Sequence, residues 1–330
     1  MRAVVLNEYG SLDNLALTDF PDPVPGPDDI IVDVRATAVN YVDLVLIGGT
    51  YQFKPDLPVV PGKGPAGVVK CVGENVDGFS PGDRVLAMAE RGGYAELAII
   101  HRNNCYPLPD SLSFVGAASM ALVYDTAWFS LVERGRFQEG ETVLILGASG
   151  GVGLAAIQLA KALGGTVLAG IVNPTKSDLV REAGADQIID LSRDDLKTSL
   201  RDQVFAVTGG RGADVVIDPL GDEVFEAAIR AVAWRGRMVV IGFAAGRIPS
   251  IKANYLLVKN IDVGGLQISD YRRRRPDLTA KCFSQIFELY DAGEILPLPS
   301  ETMSLKDFAT GLRRVRDRKV RGRIVITQAE

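Results

Sequence analysis

Histidine occurs once and cysteine three times in the 330 residues of this chain. That scarcity removes most metal chemistry. A catalytic zinc draws three ligands from His, Cys, Asp or Glu, and a structural site usually draws four, often cysteines. Cys71, Cys105 and Cys282 are scattered, odd in number and form no C-x-x-C pair. They fit free thiols in a reducing cytoplasm. His101 stands in A-I-I-H-R-N-N at the end of an expected strand, a surface or strand-end position rather than a catalytic one. Positive charge is not in excess either. A net charge of −5 has the wrong sign for a nucleic-acid surface. Apolar runs are broken by glycine or charge before the ~20 residues of a membrane span. The N-terminal M-R-A-V-V-L-N-E-Y-G has no apolar core of a signal peptide. The expectation is a cytoplasmic protein acting on small molecules, without nucleic-acid or membrane partners.

What is present divides by texture. The length favours two domains. The first 120 residues carry short apolar runs, such as Ile30–Val34, Gly67–Val72 and Arg84–Ala87, separated by P-D-P-V-P-G-P-D-D and G-E-N-V-D-G-F-S-P-G-D. Proline and glycine at those intervals supply turns, so a barrel of short strands is expected. A helical, small-residue stretch follows from Val115 to Leu131. Strand and helix patterns then alternate, with strands expected at 142–147, 166–172, 187–191, 213–218, 236–242 and 261–266. Regular alternation with apolar strands predicts a parallel sheet covered on both faces, hence an α/β class. Beyond it, helices are expected over 278–292 and from Ser304, where Ser304 and Asp307 resemble an N-terminal cap. The last strand, 322–327, is free to rejoin the barrel. The expected division is residues 1–121 with 268–330, and residues 122–267.

One turn carries the chemistry. Gly147-Ala148-Ser149-Gly150-Gly151-Val152-Gly153 follows the apolar run Thr142–Leu146 and opens a helix. Glycine lets backbone approach a pyrophosphate, and a helix start offers it unpaired N–H groups and partial positive charge. The spacing departs from G-x-G-x-x-G, but its place at the head of the alternation makes a dinucleotide site the reading, with Ser149, Gly150, Gly151 and Val152 on the phosphates. An NAD site would carry an acid about 20 residues on, at the end of the second strand. Here that strand runs into Asn173-Pro174-Thr175-Lys176. A carboxylate would repel a 2′-phosphate, whereas Lys176, Asn173 and Thr175 can hold one, so NADPH is expected. Asp218-Pro219-Leu220-Gly221 and Ile241-Gly242-Phe243-Ala244 end two further strands. There Gly221, Gly242 and Phe243 lie where such sheets bind ligands.

Several stretches taken together resemble a known family. Ala38-Val39-Asn40-Tyr41-Val42-Asp43 with Gly49-Thr50-Tyr51, Pro61-Gly62-Lys63-Gly64-Pro65-Ala66-Gly67-Val68-Val69 with Gly78–Val85, Gly147–Gly153 and Ala183-Gly184-Ala185-Asp186 are similar to segments of the zinc-independent quinone oxidoreductases of the medium-chain dehydrogenase/reductase superfamily. The resemblance covers essentially the whole chain. It implies a GroES-like β-barrel catalytic domain and a Rossmann doubly wound parallel sheet, with a cleft between them holding nicotinamide. It also implies NADPH, no metal, and a homodimer paired through the Rossmann sheets. In zinc-dependent relatives Asn40 is replaced by a cysteine and Lys63 by a histidine. Two departures stand out: Lys63-Gly64-Pro65, and Leu191 where some relatives place a tyrosine.

Without a zinc Lewis acid, easy hydride acceptors are favoured, namely quinones or α,β-unsaturated carbonyls. Asn40 is the residue expected to orient a substrate carbonyl. Tyr41 or Tyr51 donates a proton or packs against a ring, and Lys63 stabilises an oxyanion or is structural. Thr126 is expected near the nicotinamide. The run Tyr271-Arg272-Arg273-Arg274-Arg275-Pro276 reads as a solvated turn or as a docking patch for an anionic substrate. The second choice would favour an enoyl-thioester (acyl-CoA) reductase. A non-catalytic NADPH-binding protein is the reading from another class.

Overall fold

Every residue of the strand Thr142–Leu146 is buried, as a strand covered on both faces requires. In the computed structural model, which describes residues 1–328, it lies inside a six-stranded parallel sheet. The strand order is Gln187–Asp190, Thr166–Ile171, Thr142–Leu146, Ala213–Asp218, Val232–Val240, Asp262–Gly265. The chain therefore winds outward in both directions from Thr142–Leu146, and the reversal of direction opens a crevice at the carboxyl ends. Leu144, Leu146, Leu168, Val216, Phe225 and Met238 belong to one buried cluster beneath that edge. All six strands fall where the apolar runs predict them. The fifth starts earlier than expected, at Val232, and is irregular near its start: Arg235 takes a positive φ of 63° and the register shifts between Ala213 and Val215 of the neighbouring strand.

The described residues form two compact units: Met1–Leu122 with Tyr271–Phe287 and residues 297–328, and Val123–Asp270 with Glu288–Leu296. Residues 288–296 thus return to the parallel-sheet unit, a detour absent from the division expected from sequence. Ala329 and Glu330, included in that expected division, lie outside the described residues.

In the first unit the long strand Asp29–Ala38 is the hub. It pairs antiparallel with Ala66–Val72, Leu97–His101 and Arg323–Thr327. The C-terminal strand thus closes onto the N-terminal barrel, with Val325 opposite Ala38 and Thr327 opposite Ala36. Two buried clusters fill the unit, one around Leu6, Ile47, Tyr94 and Leu312 and another around Ile30, Val69 and Val85.

Two local expectations are corrected. The arginine run is solvated at Arg273, Arg274 and Arg275 but is not a turn. Ile268–Arg274 is a helix, Arg272 is buried at 3% exposure, and Arg275 forms a two-pronged bond to Asp277. Ser304 does not cap a helix amide; its hydroxyl donates to Asp307 Oδ2 at 2.6 Å, and a single 3-10 turn precedes the helix Phe308–Arg316. Finally, Phe114–Arg134 has the length and apolarity of a membrane span, but 78% of its most apolar window is buried. That fraction marks core packing.

Candidate functional site

The glycine turn is built by close contact. Gly147 has a φ of +60°, which side-chain-bearing residues avoid. At Gly153 a Cβ would stand 2.6 Å from the Cα and carbonyl oxygen of Ala148, so only glycine lets the helix press onto the strand end. Gly150 differs. It caps the helix Gly151–Ala162 in extended backbone with no side-chain cap, and a Cβ there would approach only the Gly147 carbonyl, at 3.3 Å. The first bond of the helix runs from Leu154 N–H to the Gly150 carbonyl. The amides of Gly151, Val152 and Gly153 precede it and have no intrahelical acceptor. Gly150 is exposed, and Ser149, Gly151 and Val152 are partly so. An uncapped helix start with an open approach fits a pyrophosphate.

The neighbouring strand ends assemble beside it. Asp218 is fully buried. Its Oδ1 accepts from the amides of Leu220 at 2.8 Å and Gly221 at 3.0 Å, which fixes the turn. Burial raises its carboxyl above the ordinary range, against those two bonds. Oδ2 has no hydrogen-bond partner, leaving one buried acceptor at the sheet edge. Gly221 has a φ of +68°, and a Cβ there would strike the Phe243 ring at 2.9 Å, while a Cβ at Gly147 would meet Leu220 at 3.0 Å. The amides of Ala244 and Ala245 bond back to Pro219 and Leu220. Gly147, Gly221, Gly242 and Phe243 are therefore brought to one edge, with Phe243 exposed. Thr126 sits half-buried on the helix Val123–Trp128, which packs on Gly151–Ala162.

At the end of the second strand the turn is ordered by Asn173, whose Oδ1 accepts from the amide and hydroxyl of Thr175 at 3.0 and 2.8 Å. Lys176 closes this 3-10 turn. One strand over, Asp190 lies opposite Ile171. Its carboxylate accepts from the Ser192 hydroxyl at 2.6 Å and from Arg193 Nε at 3.3 Å. The Ser192 bonds and then Arg193 hold its carboxyl below the usual range. Parallel pairing thus brings the polar turns after both strands, 173–176 and 191–193, out at the same edge.

The barrel-side candidates separate. Asn40 is 3% exposed, its Nδ2 donates to the Ala38 carbonyl at 2.9 Å, and its Oδ1 accepts from Arg323 at 2.7 Å. Its amide oxygen therefore serves the protein's own structure, and any contact to a substrate carbonyl would fall to the second hydrogen of Nδ2. The Asn40 backbone N–H bonds Asp43 Oδ2 at 2.9 Å, and that oxygen also accepts from Tyr94 at 2.6 Å. Burial raises the Asp43 carboxyl and drives the Tyr94 phenol well up. The same burial brings Arg323 down to about 10, opposed by Asp43 and Tyr94. Tyr41, on the first turn of the helix Tyr41–Ile47, is half exposed and joins no side-chain network among the described residues.

Lys63 and Tyr51 do come together. Lys63 Nζ donates to the Tyr51 hydroxyl at 3.3 Å and lies 4.5 Å from its ring centre. Lys63 is 1% exposed and ion-paired with Glu90 Oε2, while Glu90 Oε1 accepts from Arg272 at 2.7 Å. Sequence reasoning names neither Glu90 nor the roles of Asp43, Tyr94 and Arg323. The N-x-x-D spacing of Asn40 and Asp43, a helix-start pattern, was the one local signal on offer. Among the described residues, no group of three or more His, Cys, Asp or Glu side chains could hold a metal.

Comparison with known proteins agrees with this geometry. Residues 26–110 match the alcohol dehydrogenase GroES-like domain and residues 151–284 the zinc-binding dehydrogenase family. A quinone oxidoreductase-like protein 2 homolog of Nematostella vectensis is 35% identical over 328 residues, covering 98% of this chain and 88% of the relative. The quinone oxidoreductase of Pseudomonas syringae superposes with a TM-score of 0.90 at 28% identity, covering 99% of each chain. The mycobacterial protein Rv1454c, solved with NADPH, gives 0.91 at 27% identity, again over 99% of each. With a GroES-like barrel, a Rossmann sheet carrying a nicotinamide-type turn, and relatives of this closeness along its length, the chain belongs to the quinone oxidoreductase-like family of the medium-chain dehydrogenase/reductase superfamily.

Proposed function

We propose that this chain is an NADPH-dependent reductase that delivers hydride to a quinone or an α,β-unsaturated carbonyl without zinc. The observation that carries the reading is the open, uncapped helix start at Gly150–Val152, held in place by Gly147 and Gly153. The residues fit the cofactor. Gly151 and Val152 amides with Ser149 would take the pyrophosphate, and Thr126, Gly221, Gly242 and Phe243 would take the nicotinamide half. Lys176 and Arg193 offer positive charge to a 2′-phosphate and Asn173 its side-chain amide hydrogens, while the Thr175 and Ser192 hydroxyls, donating to Asn173 and Asp190, shape the two turns. The absence of a carboxylate on the second-strand turn favours NADPH over NADH.

Bound reduced nicotinamide supplies hydride chemistry. The chain supplies the rest. Charge appears on a substrate oxygen as the acceptor is reduced, and stabilising it is a task for preorganised donors. Tyr51, with Lys63 donating to its hydroxyl, is the donor group that the barrel offers. The zinc-free reading is supported by Asn40 and Lys63, whose side chains are committed to Arg323 and Glu90.

The assembly proposed is a homodimer through the Asp262–Gly265 edge of the sheet. Leu257 and Val258, 79% and 74% exposed just before it, support that choice. A cytoplasmic location suits three cysteines that form no disulfide among the described residues. The test is oxidation of NADPH by the purified protein with p-benzoquinone or an enone as acceptor. Turnover with either supports the proposal. Failure with these and with enoyl thioesters would favour a non-catalytic NADPH-binding role.

A further inference from the structure

The unit that joins Met1–Leu122 with Tyr271–Phe287 contains a chain of contacts that the proposed chemistry does not by itself require. Arg272 NH1 donates to Glu90 Oε1 at 2.7 Å. The other oxygen of that carboxylate is ion-paired with the Lys63 ammonium. The ammonium in turn donates to the Tyr51 hydroxyl at 3.3 Å and lies 4.5 Å from the ring centre. Lys63 and Arg272 side chains are 2% and 3% exposed, whereas the Glu90 side chain between them is 29% exposed. Tyr51 is partly exposed. The chain of contacts thus runs from buried cations outward to a hydroxyl.

Burying a lysine is costly, and breaking a buried pair by removing one partner usually costs more than replacing both. A lysine needed only for packing would be served as well by methionine. Lysine also has a long, flexible stem with high rotamer entropy. Holding its ammonium over one particular ring therefore needs a second fixed group, and the carboxylate of Glu90 provides it. That carboxylate is in turn fixed by the rigid fork of Arg272, which reaches it from 182 residues away in sequence. We propose that Glu90 and Arg272 are positioning residues: they clamp the Lys63 ammonium against Tyr51, so that the Tyr51 hydroxyl meets the substrate oxygen in one orientation. This inference rests on the reductase reading for its chemical purpose, though the clamp itself does not.

Two measurements separate the clamp from that purpose. In a proton–nitrogen correlation of lysine ammonium groups, the clamped Lys63 gives a slowly exchanging signal, absent in Lys63→Met. Arg272→Met weakens the signal and Glu90→Gln abolishes it; an unchanged signal in Arg272→Met overturns the proposal. In steady-state assays with p-benzoquinone, Glu90→Gln and Arg272→Met lower kcat by about tenfold or more, with the Kd for NADPH unchanged. Arg272→Lys and Glu90→Asp recover part of the loss. If Glu90→Gln fails to fold, the uncharged triple Lys63→Met, Glu90→Gln, Arg272→Met serves instead, since Glu90 faces both buried cations and neutral replacement of a whole buried ionic cluster is often tolerated. That triple variant folds and loses kcat; wild-type kcat in it means a purely structural cluster and overturns the proposal. A wild type that reduces no acceptor, with the ammonium signals behaving as stated, sinks the reductase reading and leaves the clamp standing.

Discussion

Replacing Gly153 by alanine would put a Cβ 2.6 Å from the Ala148 Cα and from the carbonyl oxygens of Gly147 and Ala148. All three contacts are backbone, so no side chain can swing aside. Relief requires the helix Gly151–Ala162 to lift from the strand end, and overpacking of this kind costs about 1–3 kcal/mol. Three backbone contacts at 2.6 Å put the cost in the upper part of that range, about 2–3 kcal/mol; alanine returns about 1 kcal/mol as a better helix former, which leaves a net loss of about 1–2 kcal/mol. For a unit of this size that is a fall in Tm of about 2–8 °C. Gly150→Ala is the matched control. Its backbone is extended, at φ −84° and ψ 169°, and its Cβ meets only one oxygen at 3.3 Å. The apo protein should lose about 0.5–1 kcal/mol for the poorer cap. The new methyl, however, stands where a pyrophosphate would approach. NADPH affinity should drop at least about tenfold, or about 1.4 kcal/mol. Thermal unfolding without ligand and a fluorescence titration with NADPH read the two effects separately. Gly150→Ala binding NADPH as tightly as wild type, or Gly153→Ala melting with wild type, would refute the geometry assigned to the turn.

Other outcomes follow from the same structure. Lys176→Ala should shrink the preference for NADPH over NADH by about tenfold, the worth of a charge-assisted bond. If only Arg193→Ala does so, recognition lies in the turn that Asp190 orders, and Lys176 is a bystander. Lys259 donates to the carbonyls of Arg230 and Val232 at 2.7 and 2.6 Å. Burial, then Arg230 and Arg201, brings it down to about 8. Its folded value lies below the unfolded one, so between them the unfolded chain holds more protons and stability rises with pH. Tm measured from pH 8 to 10 should therefore climb less steeply in Lys259→Met, and an identical slope would remove this assignment.

The parallel sheet was legible because a strand covered on both faces reads as a near-continuous apolar run, as Val143, Leu144, Ile145 and Leu146 do. The glycine turn was legible because its contacts are local: Gly153 meets Ala148, five residues back. Distance along the chain hid the barrel site. Asn40 is held by Arg323 across 283 residues, and no spacing rule foretells that an amide so placed is already engaged. Arg272 shows the same limit: within a run of four arginines, nothing local marks the one that turns inward to Glu90. Lys63 was ambiguous for a physical reason. Lysine is usually a surface residue, and only the folded chain brings a carboxylate and a tyrosine to it.

The central claim is that this chain couples a bound NADPH to an electron-poor acceptor through the Gly147–Gly153 turn. The most direct measurement is loss of nicotinamide absorbance on mixing the purified protein, NADPH and p-benzoquinone, run beside Gly150→Ala and corrected for the uncatalysed reaction. The account predicts turnover by wild type and a KM for NADPH raised at least about tenfold in the variant. Turnover with an unchanged KM in Gly150→Ala, or no turnover by wild type with any quinone or enone, would contradict it.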